Sequence, residues 1–551
     1  MPGDGESRKS WSQPPDAGSG DGSGGSSGGG QPDDPIPKSL DEVKKRLKAG
    51  AGGNADVIIR EFEAGPEKVR MLLVYVDGLV NKSLIDQHII APIIRAGGYG
   101  GHAVTSSDFS SPVDLGKRVL TIGQVKVEDR FHRAEMAYCT GSTVLFVDGA
   151  GQGLSIDTRG WEKRAVTHPE TERSTRGSRE GFVETLSTNL ALVRRHVKDP
   201  ALRVETTSVG QRTHTTVAII WIDGLTNPAL VDTVRQRLKA IKVDGVIESF
   251  EIEYYLKDDP WTLFPLIRGT ERPDFSAREL LDGRLLILVE GSAFGLIAPA
   301  TIRDFYRTTD DYVHNYMTVT LTRIVRLVAS FLVLFLAAGY VALIDVHPEL
   351  IPTDLAISIA GSREGVPFPG IVEVILMLLV FEILHEATLR LPGMMGPTIG
   401  TVGGLVIGQA AVQAKIISDV MVIIIALQAV AVFTPPSIEM SLAWRVLLWG
   451  SVFTAALLGI YGLVLYSVLL IAHVSGLTSL GVPYTAPNAP PSSTGQKDNF
   501  IRAALYHLKR RPGYIHPQDR VKRGRYDQPA AQPPKGAAPE ARRGDGGGGA
   551  P

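Results

Sequence analysis

The chain has 551 residues, enough for two or three domains, with 57 Lys and Arg against 58 Asp and Glu. That balance excludes the strongly basic face of a nucleic-acid binder, so no nucleic-acid partner is expected. The single cysteine, Cys139, excludes an intrachain disulfide and fits a reducing compartment for the water-soluble part.

Residues 1–38 are mostly Gly, Ser, Pro and Asp. They carry too little apolar surface to offset ordering entropy, which predicts an unordered tail with no secretory signal core. A duplication follows. Met71-Leu-Leu-Val-Tyr-Val-Asp-Gly-Leu79 reads like Val217-Ala-Ile-Ile-Trp-Ile-Asp-Gly-Leu225, and Asn81, Leu84 and Asp86 correspond to Asn227, Leu230 and Asp232. Val144-Leu-Phe-Val-Asp-Gly149 then matches Ile287-Leu-Val-Glu-Gly291. The offsets, 146 and 142 residues, nearly agree. Each run reads as a strand leading into a helix, which predicts two related α/β units at 39–165 and 210–318, with a connecting helix within 166–209.

On that connector Phe182, Leu186, Leu190 and Val193 share a helical stripe. Two readings stay open: a helix packed on its own domain, and a subunit contact made by Arg194 and Arg195. Asp77 and Asp223 read as turn or cap residues. Gly149-Ala-Gly-Gln-Gly153 precedes another apolar stretch rather than a helix, so a hairpin turn is expected in place of a phosphate loop. His88, His102 and His132 lack metal-ligand spacing, and no catalytic constellation stands out. Neither an enzyme nor a metal or cofactor is expected.

Residues 319–476 are predicted to be a transmembrane region with five apolar segments, at about 323–344, 368–389, 394–414, 416–438 and 446–474. The last is long enough to cross with tilt. Arg303, Arg307, Arg323 and Arg326 lead into the uncharged run Leu327 to Ile344 of the first segment and place the N-terminal region in the cytoplasm. Arg502, Lys509, Arg510 and Arg511 place the basic tail, 477–518, there too; residues 519–551 read as a second unordered tail. Two cytoplasmic ends require an even number of crossings, so one of five segments is expected not to cross fully, with 371–384 and 394–414 as the candidates.

Glu373, Glu382, His385, Glu386 and Arg390 cluster on the second segment, and Glu382, His385 and Glu386 share a helical face. That face either lines a hydrated path or subunit contact, or lies at the interface in water. Gly400, Gly403, Gly404 and Gly408 are spaced for close helix packing in lipid. Pro435 and Pro436 are expected to break a helix. The fold class expected is therefore α+β joined to all-α: a cytosolic region of two related α/β units plus a helical transmembrane bundle.

The chain resembles the A-subunit family of spore germinant receptors, the GerA-type proteins, over most of residues 70–515. The resemblance rests on Arg179-Glu-Gly-Phe-Val-Glu-Thr-Leu-Ser-Thr-Asn-Leu-Ala-Leu-Val-Arg-Arg195, Glu271-Arg-Pro-Asp274, Leu285 to Gly291, Pro367-Phe-Pro369 and Phe381-Glu-Ile-Leu-His-Glu-Ala387. It continues through Gly403-Gly-Leu-Val-Ile-Gly-Gln-Ala-Ala411, Pro436-Ser-Ile-Glu439, Phe500-Ile-Arg502 and Lys509-Arg-Arg-Pro512. His385 stands where the family has arginine and Ser178 where it has proline. The resemblance implies a multi-pass protein of the spore inner membrane, forming a homo-oligomer in membrane lipid. It also implies B-type and C-type receptor subunits as partners, and a nutrient-gated cation path. Two alternatives are a sporulation relative assisting ion or dipicolinate release without sensing nutrients, and a stand-alone secondary transporter.

Overall fold

The computed structural model describes residues 34–51, 53–65, 68–98, 111–160, 169–172, 174, 176–390, 408–504 and 507–522. The first unit contains α1 (Leu40–Ala51), β1 (Val57–Ala64), β2 (Val69–Val76), α2 (Lys82–Ile85), which continues through a π-helical turn Asp86–Ile90 into α3 (Ala91–Gly98), then α4 (Pro112–Arg118), β3 (Val125–Glu128), α5 (Phe131–Cys139), β4 (Thr143–Val147) and β5 (Gly153–Ile156). The second contains α6 (Leu186–His196), β6 (Leu202–Val209), β7 (Thr215–Ile222), α7 (Pro228–Ala240), α8 (Ser249–Leu256), β8 (Arg268–Thr270), α9 (Pro273–Leu281), β9 (Leu285–Val289) and β10 (Gly295–Ala298).

The duplication is visible in the topology. Both sheets have five antiparallel strands in matching order, β1-β2-β4-β5-β3 and β6-β7-β9-β10-β8. Alternate residues of the central strands point to opposite faces, and both faces are covered. Met71, Leu73 and Leu145 meet Ile89 and Leu115, while Leu72, Val74 and Phe146 meet Leu40 and Tyr138. This explains why the central strands read as unbroken apolar runs. The paired turn residues do the same work in each copy. Asp77 and Asp223 accept from the amides of Gly78 and Gly224, and Asn81 and Asn227 cap the following helices. The 149–153 loop closes the β4–β5 hairpin.

Helix α6 stands before β6 as α1 stands before β1, so the connector region supplies the first helix and edge strand of the second sheet. Ile36, in the stretch read as an unordered tail, is packed into the first unit's core. At the other end Arg511 pairs with Asp519 at 2.7 Å, and the described chain runs to Lys522.

The helical half contains α10 (Tyr316–Val341), extended by a π-turn to Val346, α11 (Thr353–Ser362), α12 (Gly370–Arg390), α13 (Asp419–Val432) and α14 (Ile438–Gly476). Among the described residues, Tyr316–Val346 and Ile438–Gly476 are long and apolar enough to cross a membrane. Helix α12 has 21 residues but carries Glu373, Glu382 and Glu386, and α13 has 14 residues.

The last apolar segment, expected as one tilted span, is a hairpin. Gly459 breaks α14 with φ 61° and ψ −138°, a conformation open to glycine and strained for other residues. The two arms, 438–458 and 460–476, run antiparallel. The Tyr466 hydroxyl donates to the Leu447 carbonyl at 2.8 Å, although about 28 Å of straight helix would separate these residues. The tip at Gly459 abuts Val346 and His347, beyond the end of α10. The feet return to the second unit, where Trp444 and His473 both pack on Phe264.

Candidate functional site

The two halves meet in a buried charge network built from four stretches of chain. Asp304 follows β10 and forms a capping box with Thr301. It contacts Arg284 at 2.7 Å, Arg307 at 3.1 Å and Arg303 at 3.5 Å. Glu279 of α9 adds contacts to Arg284 at 3.2 Å and Arg307 at 3.5 Å. Above this layer the base of α10 turns Arg323 and Arg326 inward. Asp311 receives both at 3.0 Å, and Arg323 also reaches Asp498 of the C-terminal tail at 3.0 Å. Tyr312 donates to Asp498 at 2.6 Å and accepts from Arg307.

Five arginines thus surround four carboxylates out of water. Burial alone would raise the carboxyl pKa of Asp498, but Arg307, Arg323 and Arg303 outweigh it and hold the group well below the usual range. Asp304 is held low in the same way against its own burial, by Arg284, Arg303 and Arg307. Such a network adds little net stability, because desolvation opposes the ion pairing, but removing one partner strands a buried charge. Tyr306 makes a second tie between the halves. Its hydroxyl donates to Ser330 of α10 at 2.8 Å and accepts from Trp444 of α14 at 2.9 Å. Burial pushes that hydroxyl up to about 12.

Beside the network lies a cavity of about 650 Å³, lined by Arg268 and Arg272 from the second α/β unit and by Arg326, His385, Phe433 and Arg445 from the helical half. Its arginines are partnered: Arg268 with Glu172 at 3.2 Å, Arg272 with Asp274 at 2.8 Å, and Arg445 with Glu382.

The predicted α12 residues fall into two places. Glu373 is fully buried at the far end, where it accepts from the Ser418 amide at 2.8 Å and pairs with Arg363 at 3.3 Å. Glu382 crosses to Arg445 of α14, with Nε 3.3 Å from its carboxylate. His385, one turn on, packs against Phe381 and Phe433 and faces the cavity. Glu386 is exposed. The side chain of Arg390 lies outside the described residues, as do Gly400, Gly403, Gly404, His102 and most of the 394–414 segment.

Gly408 packs at ordinary distance from Val422. The glycines that bring described helices closest are instead Gly450 and Gly462 of α14. A Cβ there would fall 2.6 Å from the Tyr466 hydroxyl and 2.1 Å from the Thr454 carbonyl oxygen. Pro435 and Pro436 lie in the turn between α13 and α14. Arg194, a candidate subunit contact in one of the two readings of the connector, is instead 2% exposed and pairs with Asp56 of the first unit, Nη2 to Oδ1 2.8 Å. The apolar stripe beside it, Leu186, Leu190 and Val193, faces the second unit's core, which turns the arginine toward the first unit. Arg195 is partly exposed and pairs with Glu180 at 2.9 Å.

Sequence reading missed the network because Glu279, Asp304 and Asp311 sit in ordinary charged stretches. Arg323 and Arg326, taken as topology signals, are buried partners of Asp311.

Comparison with known proteins places these features in a family. The model of the family described as Bacillus/Clostridium GerA spore germination protein matches residues 42–514. Spore germination protein KA of Bacillus subtilis is 38% identical over 496 residues, 90% of this chain and 89% of its own. The B. subtilis membrane protein YfkQ is 37% identical over 481 residues, 87% of this chain and 92% of its own. Among solved structures, the N-terminal domain of the A subunit of the Bacillus megaterium spore germinant receptor GerK3 aligns with 30% identity and a TM-score of 0.39, covering 49% of this chain and 99% of that one.

Proposed function

The chain belongs to the Bacillus/Clostridium GerA spore germination family, and from that membership we propose that it is the A-type subunit of a nutrient germinant receptor in the spore inner membrane. In this reading it acts without catalysis, beside B-type and C-type subunits. Copies of it assemble in lipid around a cation path that opens when nutrient is sensed.

The observation that carries the proposal is the charge network at the base of α10. Rigid ion pairs join the second α/β unit, the first long apolar helix and the C-terminal tail, so a displacement of the soluble units must move α10 or break buried pairs. The Gly459 hairpin supports the membrane arrangement. It returns the chain toward the second α/β unit, which supports the reading that the N-terminal units and the tail share one face. Arg445 lines the junction cavity and pairs with Glu382, a carboxylate that would favour cations once that pair opens.

The test is deletion of the gene followed by germination assays over a panel of amino acids and sugars. Loss of response to a defined nutrient supports the receptor reading. Normal responses to every nutrient, with slowed dipicolinate release, would support the sporulation relative instead.

A further inference from the structure

Helix α8 and the segments flanking it present six large apolar side chains outward: Ile247, Phe250, Tyr254, Tyr255, Trp261 and Leu263, with Ile247 72% and Trp261 88% exposed. The inner face of the helix is filled by Ile252 and Leu256, which belong to the second unit's core, so the exposed set is not core surface left uncovered by fraying. A patch of this size on a water-facing domain marks a contact surface.

Its position identifies the contact. Thr262, between Trp261 and Leu263, has its hydroxyl 3.1 Å from Nε2 of His473 in the returning arm of α14. The next large apolar residues exposed along that arm are Ile471, Leu469 and Val468, each more than half exposed. The aromatic loop is therefore continuous with the apolar outer surface of the hairpin and sits at its foot. Two carboxylates beside the loop are engaged within the fold. Asp258 is held by Arg237 at 2.6 Å and by Thr478 at 2.6 Å, and Asp259 caps the amide of Trp261 at 3.0 Å. Rings with one apolar and one polar edge suit the headgroup layer.

We propose that the α8 stripe and the Trp261–Leu263 loop rest in the headgroup layer of a phospholipid bilayer, fixing the height and tilt of the second α/β unit over the helices. This rests on the reading of α10 and α14 as membrane-embedded, and the test separates the two. Cys139 is buried, so a cysteine introduced at an exposed site takes a label selectively. Full-length protein carrying Trp261→Cys, Leu263→Cys or Leu465→Cys is labelled with an environment-sensitive nitrobenzoxadiazole probe. It is then reconstituted in vesicles of phosphatidylethanolamine and phosphatidylglycerol.

The expected result is blue-shifted emission at 261 and 263, quenched by lipids brominated near the headgroup and only weakly by aqueous iodide, with deeper lipid quenching at 465. Iodide quenching at 261 and 263 beside lipid quenching at 465 would overturn the proposal and leave the membrane reading standing. Shielding of 261 and 263 from both quenchers would overturn it in favour of a second copy of the chain. Iodide quenching at all three positions would overturn both.

Discussion

The hydroxyl of Tyr466 donates to the carbonyl of Leu447 at 2.8 Å, across two helices that read in the sequence as one. The contact exists only because Gly459 turns the chain back, and the turn places a glycine against His347 where any side chain would collide. A Cβ at 459 would lie 2.4 Å from His347 Nε2.

Gly459→Ala is therefore expected to lower the detergent-solubilised protein's thermal midpoint. The forced backbone conformation alone costs about 1–3 kcal/mol. His347→Ala in the same chain relieves the collision but not the strain, so it should recover part of the loss. A midpoint unchanged by Gly459→Ala would mean that the arms form a continuous helix.

Breaking the network from one side should be worse than removing a pair. Asp311→Asn leaves Arg323 and Arg326 without their shared carboxylate, a loss of about 3–5 kcal/mol by analogy with other buried pairs. Arg194→Ala should cost a similar amount, about 3–5 kcal/mol, by stranding Asp56 between the two α/β units. Replacing both members, Asp56→Leu with Arg194→Met, should cost clearly less than Arg194→Ala. Denaturant unfolding of the three forms checks the order.

The network also sets an acid limit. Because the folded pKa of Asp498 lies below that of the unfolded chain, its contribution is complete above the ordinary carboxylate range and is lost as pH falls toward the folded value. Asp498→Asn should be the less stable form at neutral pH, and the gap should close in acid.

Glu135 has the opposite sign. Burial raises its carboxyl to about 7 against the pull of Arg203. An acid raised on folding stabilises most below its unfolded pKa, and that contribution declines as pH rises through about 7. Between pH 5 and 8 Glu135→Gln should flatten the dependence of thermal midpoint on pH. An unchanged slope would show that Glu135 is ionised at no cost.

Much of this architecture was written locally. The two Asp-Gly turns, the Asn81 and Asn227 caps and the apolar strands recur at fixed offsets, so the duplication is legible in the sequence. The break at Gly459 was not, because a single glycine inside an apolar run is tolerated in helices and hydropathy does not register a positive φ. The network was illegible for another reason. Its members come from α9, the stretch after β10, α10 and a tail residue near position 500, and only folding brings such distant charges together. On α12 the charged face was visible, but not that Glu373 and Glu382 would find different arginines at opposite ends of the bundle.

The most direct test of the account is potassium release from spores given nutrient, comparing the parent chain with Glu382→Gln at matched protein level. The account predicts release slowed several-fold, because the proposed cation-favouring carboxylate is gone and its partner Arg445 is left without a counter-charge. Release at the parental rate would contradict it.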